Sequence, residues 1–402
     1  MQATPSHAKP SPSPATSAAL ALYLHIPFCH VRCTYCAFNI YTKQERLIAP
    51  YMAALRHEIA LASADATRPA LSIYFGGGTP SLVPAAEIAA TLDTIRHRFA
   101  LDDAAEITLE LNPESAAPDT LYALRRAGVN RLSIGMQSAH AEELKLYARL
   151  HTLDDVRQAV RYARAAGFDN ISLDLIYGAP RQTLAMWQDS LHAALALAPE
   201  HISFYSLTIE DGTTFDRWTH SGRIPEPDPD LAADMYEWAT DELATAGYEQ
   251  YEISNWALPG RASRHNLQYW RCEPYLGLGA GAHGYANSIR TQTVLRPDEY
   301  ITRIENQRDP RSFPLTGATT EAETIDRDTA MAEQMIMGLR LVQEGVHPEA
   351  FTARFGVSLE TAFGSALAPL REAGLLTTGP QGQLRLTRRG RLLGNQVFMA
   401  FI

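Results

Sequence analysis

The chain has 402 residues, with 35 Lys and Arg residues against 45 Asp and Glu residues, and its formal charge is -10. Hydrophobic residues make up 46% of it, which predicts a large core and excludes extensive disorder. The acidic balance argues against a protein that binds nucleic acids or anionic membranes, since phosphate contacts need cationic side chains. Apolar stretches such as residues 190–199 are too short to span a bilayer, which takes about 20 apolar residues. We therefore expect a cytoplasmic protein.

Residues 1–20 are rich in Pro, Ser and Ala, a composition that predicts a disordered tail. After the tail, short apolar segments alternate with segments whose apolar residues recur every three to four positions. The predicted strands cover residues 22–28, 71–77, 106–113, 131–138, 170–178 and 201–210. The predicted helices are Tyr51–Leu61, Ala85–Phe99, Pro118–Ala127, Leu153–Ala166, Thr183–Leu197 and Leu231–Ala246. Six such repeats indicate an α/β fold with a parallel sheet, either doubly wound or closed into a complete or partial barrel.

The alternation stops near Gly247. Residues 21–250 are therefore predicted to form the α/β domain. Residues 251–315, rich in Tyr, Trp, Asn and Gly, are expected to form an irregular covering segment packed against the sheet. Residues 316–402 read as helices followed by a short hairpin, a winged-helix-like pattern. The acidic balance favours a packing or partner-contact role for this C-terminal domain over DNA binding.

Three of the four cysteines, Cys29, Cys33 and Cys36, lie within eight residues. A disulfide framework would spread its cysteines along the chain, so this grouping indicates metal or redox chemistry. Structural zinc would need a fourth ligand, either Cys272 or a histidine such as His30. A four-iron cluster with one iron open to a small molecule needs only the three thiolates. Unrelated free thiols are the remaining alternative, and the spacing disfavours them.

Polar residues follow several predicted strands at their downstream ends, where parallel α/β folds place their active sites. The GGGTPS segment at 76–81 is compatible with a ligand-binding nest of backbone N–H groups and equally with a tight turn. Glu110, Gln137 and Asp174 each end a strand and are compatible with ligand binding or with structural anchoring. Arg149 fits either a carboxylate ligand or a structural ion pair.

The HNLQYW segment at 265–270 combines His265 with two aromatic residues. Such a group is compatible with binding a flat aromatic ligand or with ligating haem iron. A packed, hydrogen-bonded histidine among aromatic side chains explains it equally well.

Together these motifs resemble the radical S-adenosylmethionine superfamily. Within it, they are similar to the branch that contains the oxygen-independent coproporphyrinogen III oxidases and the haem chaperones of the HemW family. The resemblance covers roughly residues 21–290 and implies a partial (β/α)6 barrel. The motifs that carry it are the Cys29/Cys33/Cys36 spacing with Tyr35, LYLHIPFC, GGGTPS, RLSIGMQS, LDLIYGAP with Asp174, YEISNWA and HNLQYW.

The resemblance implies that Cys29, Cys33 and Cys36 bind a [4Fe-4S] cluster whose fourth iron is chelated by S-adenosylmethionine. It further implies a set of residues that bind this cofactor and no residue that is catalytic in its own right. Gly77, Gly78 and Thr79 would bind its amino-acid end through backbone groups. The other implied contacts are Tyr23, Tyr35, Glu110, Gln137, Arg149 and Asp174.

Two features separate the chain from the oxidases and make it similar to the haem chaperones. Phe38 stands where the oxidases carry a further cysteine, and the N-terminal arm is short, while HNLQYW is present. The implied function is a chaperone that binds haem, with His265 as the haem-associated residue, and delivers it to acceptor haemoproteins, respiratory cytochromes among them. Transient membrane association and a homodimer belong to the same expectation. The alternative is oxidative decarboxylation of coproporphyrinogen III, so whether the protein is an enzyme stays open at this point.

Overall fold

The computed structural model describes residues 19–63 and 68–402. The predicted tail falls almost entirely on residues 1–18, outside the described residues. In chain order, the strands are β1 (Leu20–Ile26), β2 (Phe28–Cys29), β3 (Tyr41–Thr42), β4 (Ala70–Gly77), β5 (Leu101–Leu111), β6 (Arg131–Gln137), β7 (Ile171–Tyr177), β8 (His201–Ser206), β9 (Glu249–Glu252), β10 (Asn255–Ala257), β11 (Tyr275–Leu278), β12 (His283–Ala286), β13 (Ile289–Thr293), β14 (Thr319–Thr324), β15 (Leu376–Thr378) and β16 (Leu384–Leu386).

The α-helices lie between and after these strands, and three short 3-10 turns cover Glu45–Leu47, Pro80–Leu82 and Pro113–Ser115. In chain order, the helices are α1 (Ile48–Ala62), α2 (Ala85–Arg98), α3 (Pro118–Ala127), α4 (Ala141–Leu146), α5 (Leu153–Ala165), α6 (Leu184–Leu195), α7 (Thr214–His220), α8 (Pro229–Thr245), α9 (Arg264–Trp270), α10 (Pro297–Asn306), α11 (Arg327–Gly338), α12 (Pro348–Phe355), α13 (Leu359–Glu372), α14 (Arg388–Leu392) and α15 (Gly394–Met399).

The centre of the sheet is a run of six parallel strands in the order β1, β4, β5, β6, β7, β8. At least one helix follows each of these strands in the chain, which gives six βα units. Strands β1 and β8 do not pair with each other, because β11 and β10 occupy their outer edges. The predicted partial (β/α)6 barrel is therefore confirmed. Because the six strands are parallel, their C-terminal ends all lie at one edge of the sheet. The polar residues that follow them therefore meet at this edge.

Local sequence signals set the ends of the helices that flank the parallel strands. Thr152 starts α5 with a capping box, in which its side chain and that of Asp155 satisfy each other's backbone N–H groups. Gly128 ends α3 in a left-handed conformation with φ of 111°. The apolar faces of these helices pack on strands whose inner residues, such as Leu109 and Leu132, are fully buried. The helices thereby hold the strand ends in place.

The aromatic-rich extension at 251–315 is more regular than its sequence indicated. Rather than covering the sheet, most of its strands lengthen it. At one edge β11 runs parallel to β1, and β12, β13 and β14 continue antiparallel. At the other edge β10 pairs antiparallel with β8, and β9 pairs antiparallel with β10. These strands are only three to six residues long, too short to show a clear alternation of their own, and β11 pairs with a strand far away in the chain.

Helices α11 to α15 and the β15–β16 hairpin form the C-terminal domain, which has its own apolar core. The fully buried centre of this core includes Met335, Leu339, Leu367 and Val397. The helical, hairpin-containing domain expected after the extension is thus present. Within the described residues, none of the helices combines the length and the apolar character that crossing a membrane requires.

Candidate functional site

A cavity of about 520 Å³ lies at the C-terminal ends of the parallel strands. A second depression of about 640 Å³ beside α4 and α5 contains none of the cysteines or strand-end carboxylates, so the first cavity is the candidate site. The sequence-predicted residues that the structure brings to the first cavity are Cys29, Cys33, Tyr35, Cys36, Gly77, Gly78, Thr79, Glu110, Gln137, Arg149 and Asp174.

The cysteine loop follows β1 and is held by its own backbone and by Arg32. The backbone N–H of Cys36 donates to the carbonyl of Cys33 at 3.2 Å, and Arg32 donates to the carbonyls of Cys36 and Phe38, each at 3.3 Å. Cys29 Sγ is hydrogen-bonded to Thr79 Oγ1 at 3.3 Å. Burial raises the pKa of Cys29 to about 11 and also raises that of Cys36. The thiolate forms therefore need cationic charge, which iron would provide.

The loop suits a cluster better than a single metal ion. Within residues 19–63 and 68–402, no three His, Cys, Asp or Glu side chains converge on a point that could hold one ion. Cys272 lies elsewhere, where its Sγ donates to the carbonyl of Glu333, and His30 is at the exposed surface beside Glu45. The zinc alternative therefore does not fit. An iron–sulfur cluster gives each thiolate its own iron, which is compatible with three thiols around one cavity.

The glycine turn after β4 offers different groups from those the sequence suggested. All three of its N–H groups already donate within the protein: Gly77 to Glu110 Oε2 at 3.0 Å, Gly78 to Ile26 O at 2.8 Å and Thr79 to Phe28 O at 2.8 Å. A Cβ at Gly77, where φ is 115°, would meet the His25 ring at 2.5 Å. The turn is thus no nest of free N–H groups. It can offer carbonyl oxygens, which suit an ammonium group.

Two half-buried carboxylates line the cavity between β4 and β8. Tyr74 Oη and the Gly77 N–H both donate to Glu110 at 3.0 Å, and burial together with nearby Asp174 raises the pKa of Glu110 to about 7. Asp174 accepts from Ser133 Oγ at 2.8 Å and from Ser172 Oγ at 3.1 Å, and burial raises its pKa. The two carboxylates repel each other, so a cationic or hydroxyl-bearing ligand would stabilise their ionised forms.

Arg149 brings a cation to the cysteine end of the cavity. Its guanidinium donates to Asn112 Oδ1 at 2.8 Å and to the Gly135 carbonyl at 2.9 Å, and approaches Cys33 Sγ at 3.6 Å. Its Nε is buried and has no hydrogen-bond partner among the described residues. An anionic group would therefore be attracted to this point. The adjoining Gln137 adopts a left-handed conformation with φ of 63° at the end of β6.

Sequence reasoning missed several residues at this site, Asn112 and Tyr74 among them. Asn112 also donates to Thr79 Oγ1 at 3.1 Å, so it connects the glycine turn to Arg149. Tyr74 lines the cavity, whereas Tyr23 lies behind it, stacked on Tyr74 at 6.2 Å with its hydroxyl bonded to His25 Nδ1 at 3.0 Å. The sequence did contain a signal for each residue. Tyr74 is two positions after Ser72, on the same face of the strand, and Asn112 is the polar residue directly after the apolar strand that ends at Leu111.

His265 is buried beneath the cavity and does not line it. It is 1% exposed, its Nδ1 is bonded to Ser72 Oγ at 2.9 Å and its Nε2 to Tyr269 Oη at 2.8 Å. Burial lowers its pKa to about 3, so the ring stays neutral. Neither nitrogen is left for an iron atom. The structure therefore argues against His265 as a haem ligand and favours the alternative of a packed, hydrogen-bonded histidine.

The fold and the cysteine loop define a radical S-adenosylmethionine protein. The model of the Radical SAM superfamily matches residues 23–194, and that of the HemN C-terminal domain matches residues 325–393. The solved structure of coproporphyrinogen III oxidase (HemN) from Escherichia coli superimposes with a TM-score of 0.81 at 25% identity, over 96% of this chain and 90% of that one.

Curated relatives narrow the assignment. The heme chaperone HemW of Bacillus subtilis is 39% identical over 382 residues, which cover 94% of this chain and 98% of the relative. That of Mycobacterium tuberculosis is 37% identical over 94% of this chain and 93% of the relative. The mitochondrial radical S-adenosyl methionine domain-containing protein 1 of mouse is 40% identical over 82% of this chain and 75% of the relative. The chain belongs to the HemW family of the radical S-adenosylmethionine superfamily.

Proposed function

We propose that the protein is a haem chaperone, which binds haem and transfers it to acceptor haemoproteins. It would carry a [4Fe-4S] cluster on Cys29, Cys33 and Cys36 and S-adenosylmethionine in the adjoining cavity. The observation that carries this proposal is the full-length similarity to relatives named heme chaperones, together with a cavity that keeps the cysteine loop and the polar strand ends.

The cavity residues suit the cofactor group by group. Arg149 would bind its carboxylate, because the buried Nε lacks a partner. Carbonyl oxygens at Gly77 and Gly78 would accept from its ammonium group, and Glu110 and Asp174 would face its hydroxyl groups and positive charge. Gln137, Thr79 and Tyr35 would complete the wall, and Tyr23 would support it through Tyr74. When bound, the cluster would supply the electron for reductive cleavage of the cofactor.

The mouth of the cavity supports haem binding more than it supports the oxidase reaction. Phe38 is 68% exposed there, at the position where the resembled oxidases carry a further cysteine. An exposed aromatic side chain next to the cluster loop offers apolar surface to a flat ligand.

Anaerobic haem titration of the cluster-containing protein tests this proposal. We expect a stoichiometric complex with a shifted haem absorption band, and transfer of the haem when an apocytochrome is added. Failure of the purified, iron-loaded protein to form a stable haem complex would remove the proposal.

Oxidative decarboxylation of coproporphyrinogen III is the second candidate, favoured by the likeness to the HemN structure. Incubation with coproporphyrinogen, S-adenosylmethionine and a reductant decides it, with the decarboxylated porphyrinogen as the readout. We expect no product from protein whose cluster is intact.

For partners, we propose haemoproteins of the respiratory chain, which the protein would meet by transient association with the membrane from the cytoplasm. A homodimer is proposed as its resting form. Sedimentation analysis with and without haem measures the oligomeric state. Co-sedimentation of the haem-loaded protein with vesicles measures the association with membranes.

A further inference from the structure

One buried cation in the cavity forms no hydrogen bond or ion pair with the described residues. Arg131, the first residue of β6, is 2% exposed and lines the cavity. Its Nε has no hydrogen-bond partner, and it forms no ion pair, in the part of the chain that the structure describes. Thr108 lies directly opposite in the β5–β6 register and also leaves its buried hydroxyl without a partner. Buried charges are normally paired and hydrogen-bonded, so an anionic group of a ligand would stabilise this arrangement.

The charge of Arg131 acts on nearby Asp174 and partly offsets the rise in its pKa, but the two side chains form neither a hydrogen bond nor an ion pair in the described part of the chain. Ser133 and Ser172 engage the carboxylate of Asp174, and Tyr74 and Gly77 engage that of Glu110.

The charge of Arg131 also affects the pKa of two buried histidines. Burial and the charge of Arg131 both lower the pKa of His201 and of His265, so each ring stays neutral. Both rings already have partners: Ser172 and Tyr251 for His201, and Ser72 and Tyr269 for His265. Arg131 is thus the charged member of this group, and its side chain lines the cavity.

The lining of the cavity changes from apolar at its mouth to charged at Arg131. Ala37, Phe38, Ile40 and Leu207 give the lining an apolar part, and Phe38 is largely exposed. Arg131 lies at the start of its strand, six positions before Gln137, which ends β6 at the edge carrying the cysteine loop. A ligand that matches both parts has a flat apolar body and a carboxylate on a flexible arm.

We propose that Arg131 forms a carboxylate-binding subsite for a propionate arm of a tetrapyrrole whose ring lies against the apolar mouth. The subsite is separate from Arg149, which is assigned to the carboxylate of S-adenosylmethionine. A planar guanidinium can donate to both oxygens of a carboxylate at once, and Thr108 Oγ1 is a further donor nearby. This inference rests on the proposed haem binding, since it names how the same ligand is recognised.

Haem and haem dimethyl ester, which lacks the propionate charges, are the two probes. We expect the wild-type protein to bind haem about tenfold to a hundredfold more tightly than the ester, the usual effect of a charged hydrogen-bonded pair. Arg131→Gln should bind haem as weakly as the wild-type protein binds the ester, and should no longer distinguish the two. Arg131→Lys keeps the charge and should distinguish them partly. Arg126→Gln, an exposed arginine on α3, is the matched control and should behave as the wild type.

Three results would overturn the subsite. Equal binding of haem and its ester by the wild-type protein would do so without any variant. If Arg131→Gln still binds haem more tightly than its ester by the wild-type factor, the propionates bind elsewhere. If the variant loses binding of S-adenosylmethionine, Arg131 binds that cofactor instead. If the wild-type protein binds neither probe, the proposed function itself fails. Thermal unfolding adds a check on folding: removing an unpaired buried charge should leave the midpoint of the unliganded protein unchanged or raised, whereas a structural role would lower it.

Discussion

The cavity and His265 of helix α9 belong to the same part of the fold, yet their buried polar atoms differ in hydrogen bonding. In the cavity, Arg149 and Arg131 each keep a buried Nε without a partner among the described residues. In α9, both ring nitrogens of His265 are hydrogen-bonded, to Ser72 and to Tyr269. A protein binds ligands through donors that it has not satisfied internally, whereas satisfied donors stabilise the fold. The difference supports a ligand-binding role for the cavity and a structural role for His265.

The largest expected effect that tests this comparison is loss of the cluster. We predict that Cys33→Ala abolishes iron and acid-labile sulfide after anaerobic reconstitution, because one of three thiolate ligands is removed. Iron and sulfide analysis with the visible spectrum measures it. Cys272→Ala is the matched control, since this cysteine lies against Glu333, and it should keep a full cluster. A full cluster in Cys33→Ala and a lost cluster in Cys272→Ala would mean that the loop does not bind the cluster.

A smaller effect is expected on binding of S-adenosylmethionine. The pKa of Glu110 is raised to about 7, so its carboxylate is protonated below that pH and ionised above it. A cationic cofactor favours the ionised form, so affinity should rise about tenfold from about pH 6 to about pH 8. Anaerobic calorimetry on the cluster-containing protein measures it.

The variant Glu110→Gln should flatten this pH dependence, while Glu142→Gln, at an exposed position of α4, should retain it. Stability gives an independent check with the opposite sign. Because the pKa of Glu110 is higher in the folded state, the unliganded wild type should lose stability as pH rises from about 4.5 to about 7. Persistence of both trends in Glu110→Gln would show that another group titrates.

The third expected effect concerns stability and leaves haem binding unchanged. His265→Ala should lower the free energy of unfolding by about 1–3 kcal/mol, because the Ser72 and Tyr269 hydroxyls lose their shared partner. Urea unfolding measures the loss, and an anaerobic haem titration should give the wild-type affinity. A stable variant that no longer binds haem would restore His265 as the haem-binding residue.

The smallest expected effect comes from removing one hydroxyl of the same network. Tyr269→Phe should cost about 0.5–1.5 kcal/mol of stability, since His265 Nε2 loses its partner at 2.8 Å while the ring packing remains. Unfolding curves of the wild type, Tyr269→Phe and His265→Ala should rank in that order. A Tyr269→Phe variant less stable than His265→Ala would mean that the tyrosine hydroxyl has a second role.

Much of the fold could be predicted because its signals are local. Pro118–Ala127 was predicted with the observed bounds, and the other five predicted helices of the barrel overlap the observed ones. The edge strands could not be predicted in this way. β11 pairs with β1, and Ala21 faces Tyr275 across more than half of the chain, so no short window of sequence contains the pair.

The sequence by itself determined the class of fold, the cysteine loop and the polar strand ends, because spacing and periodicity depend only on neighbours along the chain. The tertiary structure alone decided which of those polar groups still have a free hydrogen-bonding atom. Ser72 reaches His265 across 193 positions, Asn112 reaches Arg149 across 37, and the N–H of Gly77 reaches Glu110 across 33. Whether a donor is satisfied depends on distant residues that folding brings within about 3 Å, so it is a property of the packed chain.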